Sequence, residues 1–291
     1  MHVKEGKLIV EKEGKVIVLD YGMFIHRAGY ASRNNPNIPP TYTTINMIIA
    51  SLRRIGVSPF DEIIVACDGR GNWRKDFESE YKANRAGLRE KSGLDWGTMY
   101  NEFDKLLERI EKGTNWHVVK LDKIEADDIA SVACRYFKDN EIVLCSFDSD
   151  WEMLWDYPNV KIFSPLIKFK GTKGAYKIPP KNFDVFKFIA KKINKEVSDN
   201  LISPILNEKD YDNRKICVDL LSLPDFVENQ IKEAFNNLQE KEPDLNCIRS
   251  QSIRKKIGSL WNDTSKIIQY EDCVKKEEKK KLKKKKIKRR K

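Results

Sequence analysis

The sequence predicts an α/β fold: a central, mostly parallel twisted sheet flanked by helices. Three observations carry this. Short β-branched apolar runs at 16–19, 63–67 and 142–145 read as strands buried on both faces. Segments with apolar residues at helical spacing alternate with them. Each run also ends at an acid, Asp20, Asp68 or the pair Asp148 and Asp150, and ligands of such sheets bind beyond the carboxyl ends of the strands.

The elements follow in order. Leu8-Ile9-Val10 and 15–20 suggest a hairpin turning near Gly14 into the first core strand. Ile45, Ile48, Ile49 and Leu52 make 43–55 a helix, and 62–67 is the second strand. Residues 70–92 are polar, aromatic and basic, and form an arch-like insertion. Trp96, Tyr100, Phe103, Leu107 and Ile110 give an amphipathic helix over 96–112. A strand at 117–121 precedes a helix at 125–137, whose acidic first turn suits the helix dipole. Further strands fall at 141–146 and 160–163. The α/β core thus spans 1–180. After Pro179-Pro180 the helical patterns of 181–274 define a second, mostly helical region. The low-complexity segment 275–291 is expected to be disordered.

Composition narrows the classes. At 291 residues and 40% hydrophobic the chain can bury a substantial core. No apolar stretch approaches the roughly 20 residues of a membrane span, and no secretory h-region is visible. The six cysteines form no CxxC pair, which argues against a zinc knuckle and for a reducing, cytoplasmic setting. The net charge of +11 lies entirely between Lys275 and Lys291, which hold thirteen basic and two acidic residues.

The acids at the strand ends, with Glu125, Asp127 and Asp128 at a helix start, should converge on one spot. So many carboxylates repel unless cations sit among them, and hard divalent cations take oxygen ligands. Two such ions (Mg²⁺, with Mn²⁺ as a substitute) suit phosphodiester hydrolysis. Taken singly, each acid is equally a turn former or helix cap; the joint pattern is what points to a metal site. Asp148 and Asp150, two apart, would share a face if extended. After Asp68, the run Trp73, Arg74, Lys75, Tyr81, Lys82, Arg85 and Arg89 interleaves cations and aromatics, which bind phosphates and stack on unpaired bases. The competing reading is a solvated helix face with Trp73 and Phe77 in a small core.

Asp20, Cys67-Asp68, Tyr81-Lys82-x-Asn84-Arg85, Glu125-Ala126-Asp127-Asp128 and Ser149-Asp150 together resemble the 5′-nuclease family of flap endonucleases and 5′→3′ exonucleases. Trp73-Arg74-Lys75-Asp76-Phe77, Tyr157-Pro158-Asn159-Val160-Lys161, Ser164-Pro165 and Leu223-Pro224-Asp225 are similar to its phage ribonuclease H branch. The resemblance implies a PIN-like core and Mg²⁺-dependent hydrolysis at 5′ ends of RNA–DNA and DNA duplexes, flaps and forks. It implies metal binding by Asp20, Asp68, Glu125, Asp127, Asp128, Asp148 and Asp150. It places Lys82 and Arg85 at the scissile phosphate and Tyr81 on a terminal base. Asp199 fits a further family motif, in which Glu196 stands where the family has aspartate. The glycine-rich helix–three-turn–helix that follows in many members is absent from 201–207, and the lysine tail is expected to compensate by binding phosphates. A monomer working beside a single-stranded-DNA-binding protein or sliding clamp, with no membrane contact, would suit replication. Host cytoplasm is its place if phage-encoded. Alternatives are a PIN-type ribonuclease, an aspartyl phosphatase (against which Gly22 stands two residues after Asp20) and a non-catalytic structure-specific DNA-binding protein.

Overall fold

The computed structural model describes residues 14–194, 205–260, 262 and 266–288. The expected N-terminal hairpin partner at 8–10, Glu196 and Asp199 lie outside the described residues.

Six strands form one mixed sheet in the order β3-β2-β1-β4-β5-β6. They are β1 (Lys15–Asp20), β2 (Glu62–Cys67), β3 (His117–Lys120), β4 (Glu141–Cys145), β5 (Val160–Phe169) and β6 (Thr172–Tyr176). The first five are parallel, and β6 returns antiparallel along β5. The helices are α1 (Tyr21–Ser32), α2 (Pro40–Ile55), α3 (Asn84–Lys91), α4 (Trp96–Gly113), α5 (Ala126–Tyr136), α6 (Val185–Ile193), α7 (Glu208–Val218), α8 (Asp225–Asn236), α9 (Gln251–Gly258) and α10 (Tyr270–Lys288). Single 3₁₀ turns stand at Trp73–Asp76, Asp150–Asp156 and Leu245–Cys247.

The two-residue alternation of a strand divides the core between the sheet faces. Ile17, Leu19, Ile63 and Val65 pack with α1, α2, α4 and α9. Val16, Val18, Ile64, Ala66 and Leu144 pack with α5, α6 and α8. Both faces are therefore covered, as parallel strands require. Each such Val, Leu or Ile removed from water stabilises the fold by about 1.5–3 kcal/mol. The centre of the sheet is fully buried, and its carboxyl edge carries Asp20 and leads into Asp68 and Asp148.

Two expectations change, and one helix was not foreseen. The strand expected at 160–163 runs on to Phe169, because β6 pairs with its outer half; the Lys170-Gly171 turn, with both residues at positive φ, joins the two. Helix α1 has few polar breaks and follows β1 without a loop, with Asp20 as its N-cap. The tail, expected to be disordered, continues as α10 to Lys288. Glu271 and Asp272 complement its N-terminal dipole, Cys273 is buried in the core, and lysine is a good helix former.

Candidate active site

Asp20 closes β1 and caps α1. Its Oδ1 accepts the Met23 amide at 2.9 Å and its Oδ2 accepts the Ser146 hydroxyl at 2.7 Å. Asp68 follows β2, and its Oδ1 accepts the Ala126 amide at the start of α5, at 3.0 Å. Asp127, in the first turn of α5, accepts the Trp151 indole N–H at 2.6 Å. Asp148 follows β4; the Ser146 hydroxyl accepts its amide at 3.0 Å, while Lys177 donates to its carbonyl at 3.1 Å. These four carboxylates line one cavity of about 300 Å³ together with Lys82, Arg85 and Arg89.

The electrostatics show strain among the acids. Burial pushes Asp20 up to about 7, and the charges of Asp68 and Asp148 add to the rise against the Met23 and Ser146 hydrogen bonds. Burial, then Asp148, raises Asp127 well above the carboxylate range. Glu125 behaves oppositely: burial alone would raise it, but Lys82 and Arg74 prevail and hold it at about 2. The cavity therefore carries more negative charge than it can keep ionised unaided.

Glu125 and Asp128 form a capping box at the start of α5. Glu125 Oε2 accepts Arg74 Nη1 at 3.0 Å and the Tyr81 hydroxyl at 2.9 Å, and Lys82 contacts Oε1. Asp128 is fully buried. It accepts Trp73 Nε1 at 2.9 Å, Arg74 Nη2 at 2.6 Å and the Glu125 amide at 3.0 Å. Its oxygens are spent inside the protein, so the expectation that Asp128 binds metal is corrected: it clamps the helix start.

Trp73, Arg74 and Tyr81, expected on nucleic acid, are likewise buried beneath the carboxylates. Trp73 packs edge-on against Phe77 and Phe226, and Arg74 Nε donates to the Cys217 carbonyl at 2.8 Å. The small-core reading holds for Trp73, and the physical reason is the 3₁₀ turn, which folds this segment inward. Lys75 stays exposed. Lys82 precedes α3 rather than lying on it, in the left-handed region at φ 58°, yet faces the cavity with Arg85. Asp148 and Asp150 do not share an extended face. Asp150 opens a 3₁₀ turn and pairs with Lys192 of α6, away from the cavity.

Sequence reasoning missed Ser146, Lys177, Trp151 and Lys192, which hold the acids. Only Ser146 left a trace, standing at the end of the β4 run as Asp20 stands at the end of β1. His26, noted for its closeness to Asp20 but read as structural, also lines the cavity, packed at a tilt against Trp96 and edge-on against Tyr100; burial and then Arg85 lower it.

An all-oxygen set of carboxylates, with Asp20 and Asp127 held in their protonated forms beyond the usual range, fits a hard divalent cation. Among the described residues no three acids, histidines or cysteines stand at coordination spacing; Glu125 is in contact with Lys82 and Asp150 with Lys192.

Comparison with known proteins bears on the family and the fold. Residues 15–183 match the family described as 5′-3′ exonuclease, N-terminal resolvase-like domain. Ribonuclease H of Enterobacteria phage T4 is 32% identical over 128 residues, 43% of this chain and 42% of that protein. A 5′-3′ exonuclease of Mycoplasmopsis pulmonis is 29% identical over 202 residues, 65% of this chain and 62% of that protein. The chain thus spans less than two thirds of the length of either relative. The T5 D15 protein, co-crystallised with metal ions, shares the fold at a TM-score of 0.54 and 17% identity, covering 77% of this chain and 100% of that one. With its sheet, its acidic strand ends and the match over 15–183, the chain belongs to the 5′-3′ exonuclease family, through that family's N-terminal resolvase-like domain.

Proposed function

We propose that the chain is a divalent-metal-dependent 5′-nuclease, hydrolysing phosphodiesters at 5′ ends of DNA and RNA–DNA duplexes, forks and flaps, as in primer removal. The observation that carries this is one cavity lined both by Asp20, Asp68, Asp127 and Asp148 and by Lys82, Arg85 and Arg89. Asp20, Asp68, Glu125, Asp127 and Asp148 would hold Mg²⁺ or Mn²⁺, Asp150 after leaving Lys192, and Asp199 and Glu196 from outside the described residues. Such ions supply a deprotonated water and a Lewis acid at the leaving oxygen.

The chain's own residues do the rest. Lys82 and Arg85 hold the phosphate over the acidic wall, and Arg89 and exposed Lys75 extend the cationic side. Ser146 fixes Asp20, and Trp151 fixes Asp127. Arg74, Trp73 and Tyr81 set the start of α5, so Glu125 and Asp127 keep their spacing. The tail adds phosphate contacts. The setting is the cytoplasm, that of the host if the chain is phage-encoded, and a monomer meets a single-stranded-DNA-binding protein or clamp there. T4 ribonuclease H, a relative of this chain, is a phage protein.

The test is a 5′-labelled forked duplex with matched RNA and DNA 5′ strands, in Mg²⁺ and in EDTA. Metal-dependent short products from the 5′ end are expected. Uncut substrate in both Mg²⁺ and Mn²⁺, with binding retained, would leave the non-catalytic reading instead.

A further inference from the structure

Helix α1 serves two recesses. Gly22, His26 and Tyr30 line the acidic cavity, whereas Arg27 lines a second recess, and Met23 borders both. The second recess has a volume of about 250 Å³ and an apolar floor formed by Met23, Met47, Pro165 and Leu166. Its rim is cationic: Arg27 and Lys173 are exposed, with no ion pair among the described residues, and Arg54 donates to the Gly174 carbonyl at 2.9 Å. Through Ala50, Arg54 and Lys173 the recess opens into a groove of about 650 Å³ that adds Arg53, Lys170 and Lys266 and a single acid, Asp272, 3.6 Å from Lys170.

We propose that this recess and groove form a docking site for an acidic peptide segment of a partner protein with an apolar anchor side chain. Charge complementarity commits the occupant: six cations beside one carboxylate attract several acidic residues. The apolar floor commits the anchor, because an aliphatic side chain gains by leaving water there and a phosphodiester backbone has no group that would. The exposed cations then steer and the recess specifies, which is how short acidic motifs are read. Because α1 is shared, a partner bound here sits beside the catalytic cavity without covering it.

The test uses the full chain and a fluorescein-labelled peptide of four aspartates followed by one leucine, read by anisotropy. Binding is expected to weaken about tenfold when the leucine becomes serine, and by a similar factor in the Leu166→Ser chain. The Arg27→Ser/Lys173→Ser chain should lose most of the salt-sensitive part. Equal affinity for the leucine and serine peptides would overturn the proposal. So would displacement by a short DNA duplex whose own binding depends on Arg27 and Lys173 but not on Leu166, since that marks the surface as a nucleic-acid site. Far-ultraviolet circular dichroism of each variant separates lost binding from lost folding, and a second anchor variant, Pro165→Ser, serves if Leu166→Ser does not fold.

Discussion

Lys82, with its backbone at φ 58°, rests its ammonium on Oε1 of Glu125, the residue that caps α5. A lysine in the left-handed region is strained by about 1–2 kcal/mol, and such strain gathers where the surroundings impose it. The contact ties the 70–92 insertion to the carboxylate wall.

Lys82→Gly and Lys82→Ala should both lower cleavage at least about tenfold, because both remove the ammonium facing the phosphate. They should differ in stability: the glycine variant relieves the backbone and is expected to be about 1 kcal/mol more stable than the alanine variant. Chemical denaturation of the pair reads this difference. Equal stabilities would mean that the backbone at Lys82 is unstrained.

Asp20 and Asp128 should separate chemistry from architecture. Asp128→Asn breaks a buried arrangement with Arg74 and Trp73 and is expected to cost about 3–5 kcal/mol. Asp20→Asn removes a charge repelled by Asp68 and Asp148 and should leave stability equal or higher while abolishing cleavage. An Asp128→Asn protein as stable as the parent but inactive would restore Asp128 to the metal set.

The difference between these two acids marks where the sequence stopped being legible. The strands were readable because period-two burial on both faces leaves unbroken β-branched runs, and their ends placed Asp20, Asp68 and Asp148. Whether an acid faces a cavity or a buried arginine depends on partners distant in sequence; Arg74 lies 54 residues from Asp128. Trp73 and Tyr81 misled for the same reason: a basic, aromatic segment looks alike whether its rings point at solvent or at the core. β6 was hidden because Thr172–Tyr176 has little apolar content and depends on its hairpin with β5.

Gly69 joins Asp68 to the following loop at a point of close approach. A Cβ there would lie 1.7 Å from the Leu121 carbonyl oxygen, while the Gly69 amide donates to the Ile124 carbonyl at 2.8 Å. Gly69→Ala must push the two segments apart and should cost about 1–3 kcal/mol. It should also lower cleavage, since Asp68 moves with its neighbour. Thermal unfolding together with the forked-duplex assay decides this; a variant with unchanged Tm and rate would show that the segments part freely.

Removing residues 275–291 deletes thirteen basic side chains. If the tail binds phosphate, DNA affinity falls and its salt slope becomes shallower. The cleavage rate at saturating substrate should hold, because the carboxylate wall is untouched. An unchanged affinity and slope would leave the tail a role in solubility or partner docking only.

The raised carboxyl of Asp20 makes stability depend on pH in a direction opposite to an ordinary salt-bridged aspartate. In the unfolded chain it ionises near 3.8, and in the folded protein near 7. The folded state therefore holds a proton that the unfolded state has released, so the stabilising contribution is complete below 3.8 and is lost as pH rises through 7. Asp127, raised for the same reasons, acts in the same direction. In EDTA, Tm should fall between pH 5 and 8, by an amount equivalent to about 2 kcal/mol for Asp20 after allowance for its partial exposure. Asp20→Asn should make that slope shallower by the part that Asp20 contributes, while Asp127 keeps the remainder. Excess Mg²⁺ should flatten it in the parent as well, because a cation held by ionised carboxylates replaces the proton and favours the folded state increasingly as pH rises. A Tm in EDTA that climbs across this range in the parent, and no less steeply in Asp20→Asn, would show that the acids are solvated and unrepelled, and that the cavity has no need of a cation.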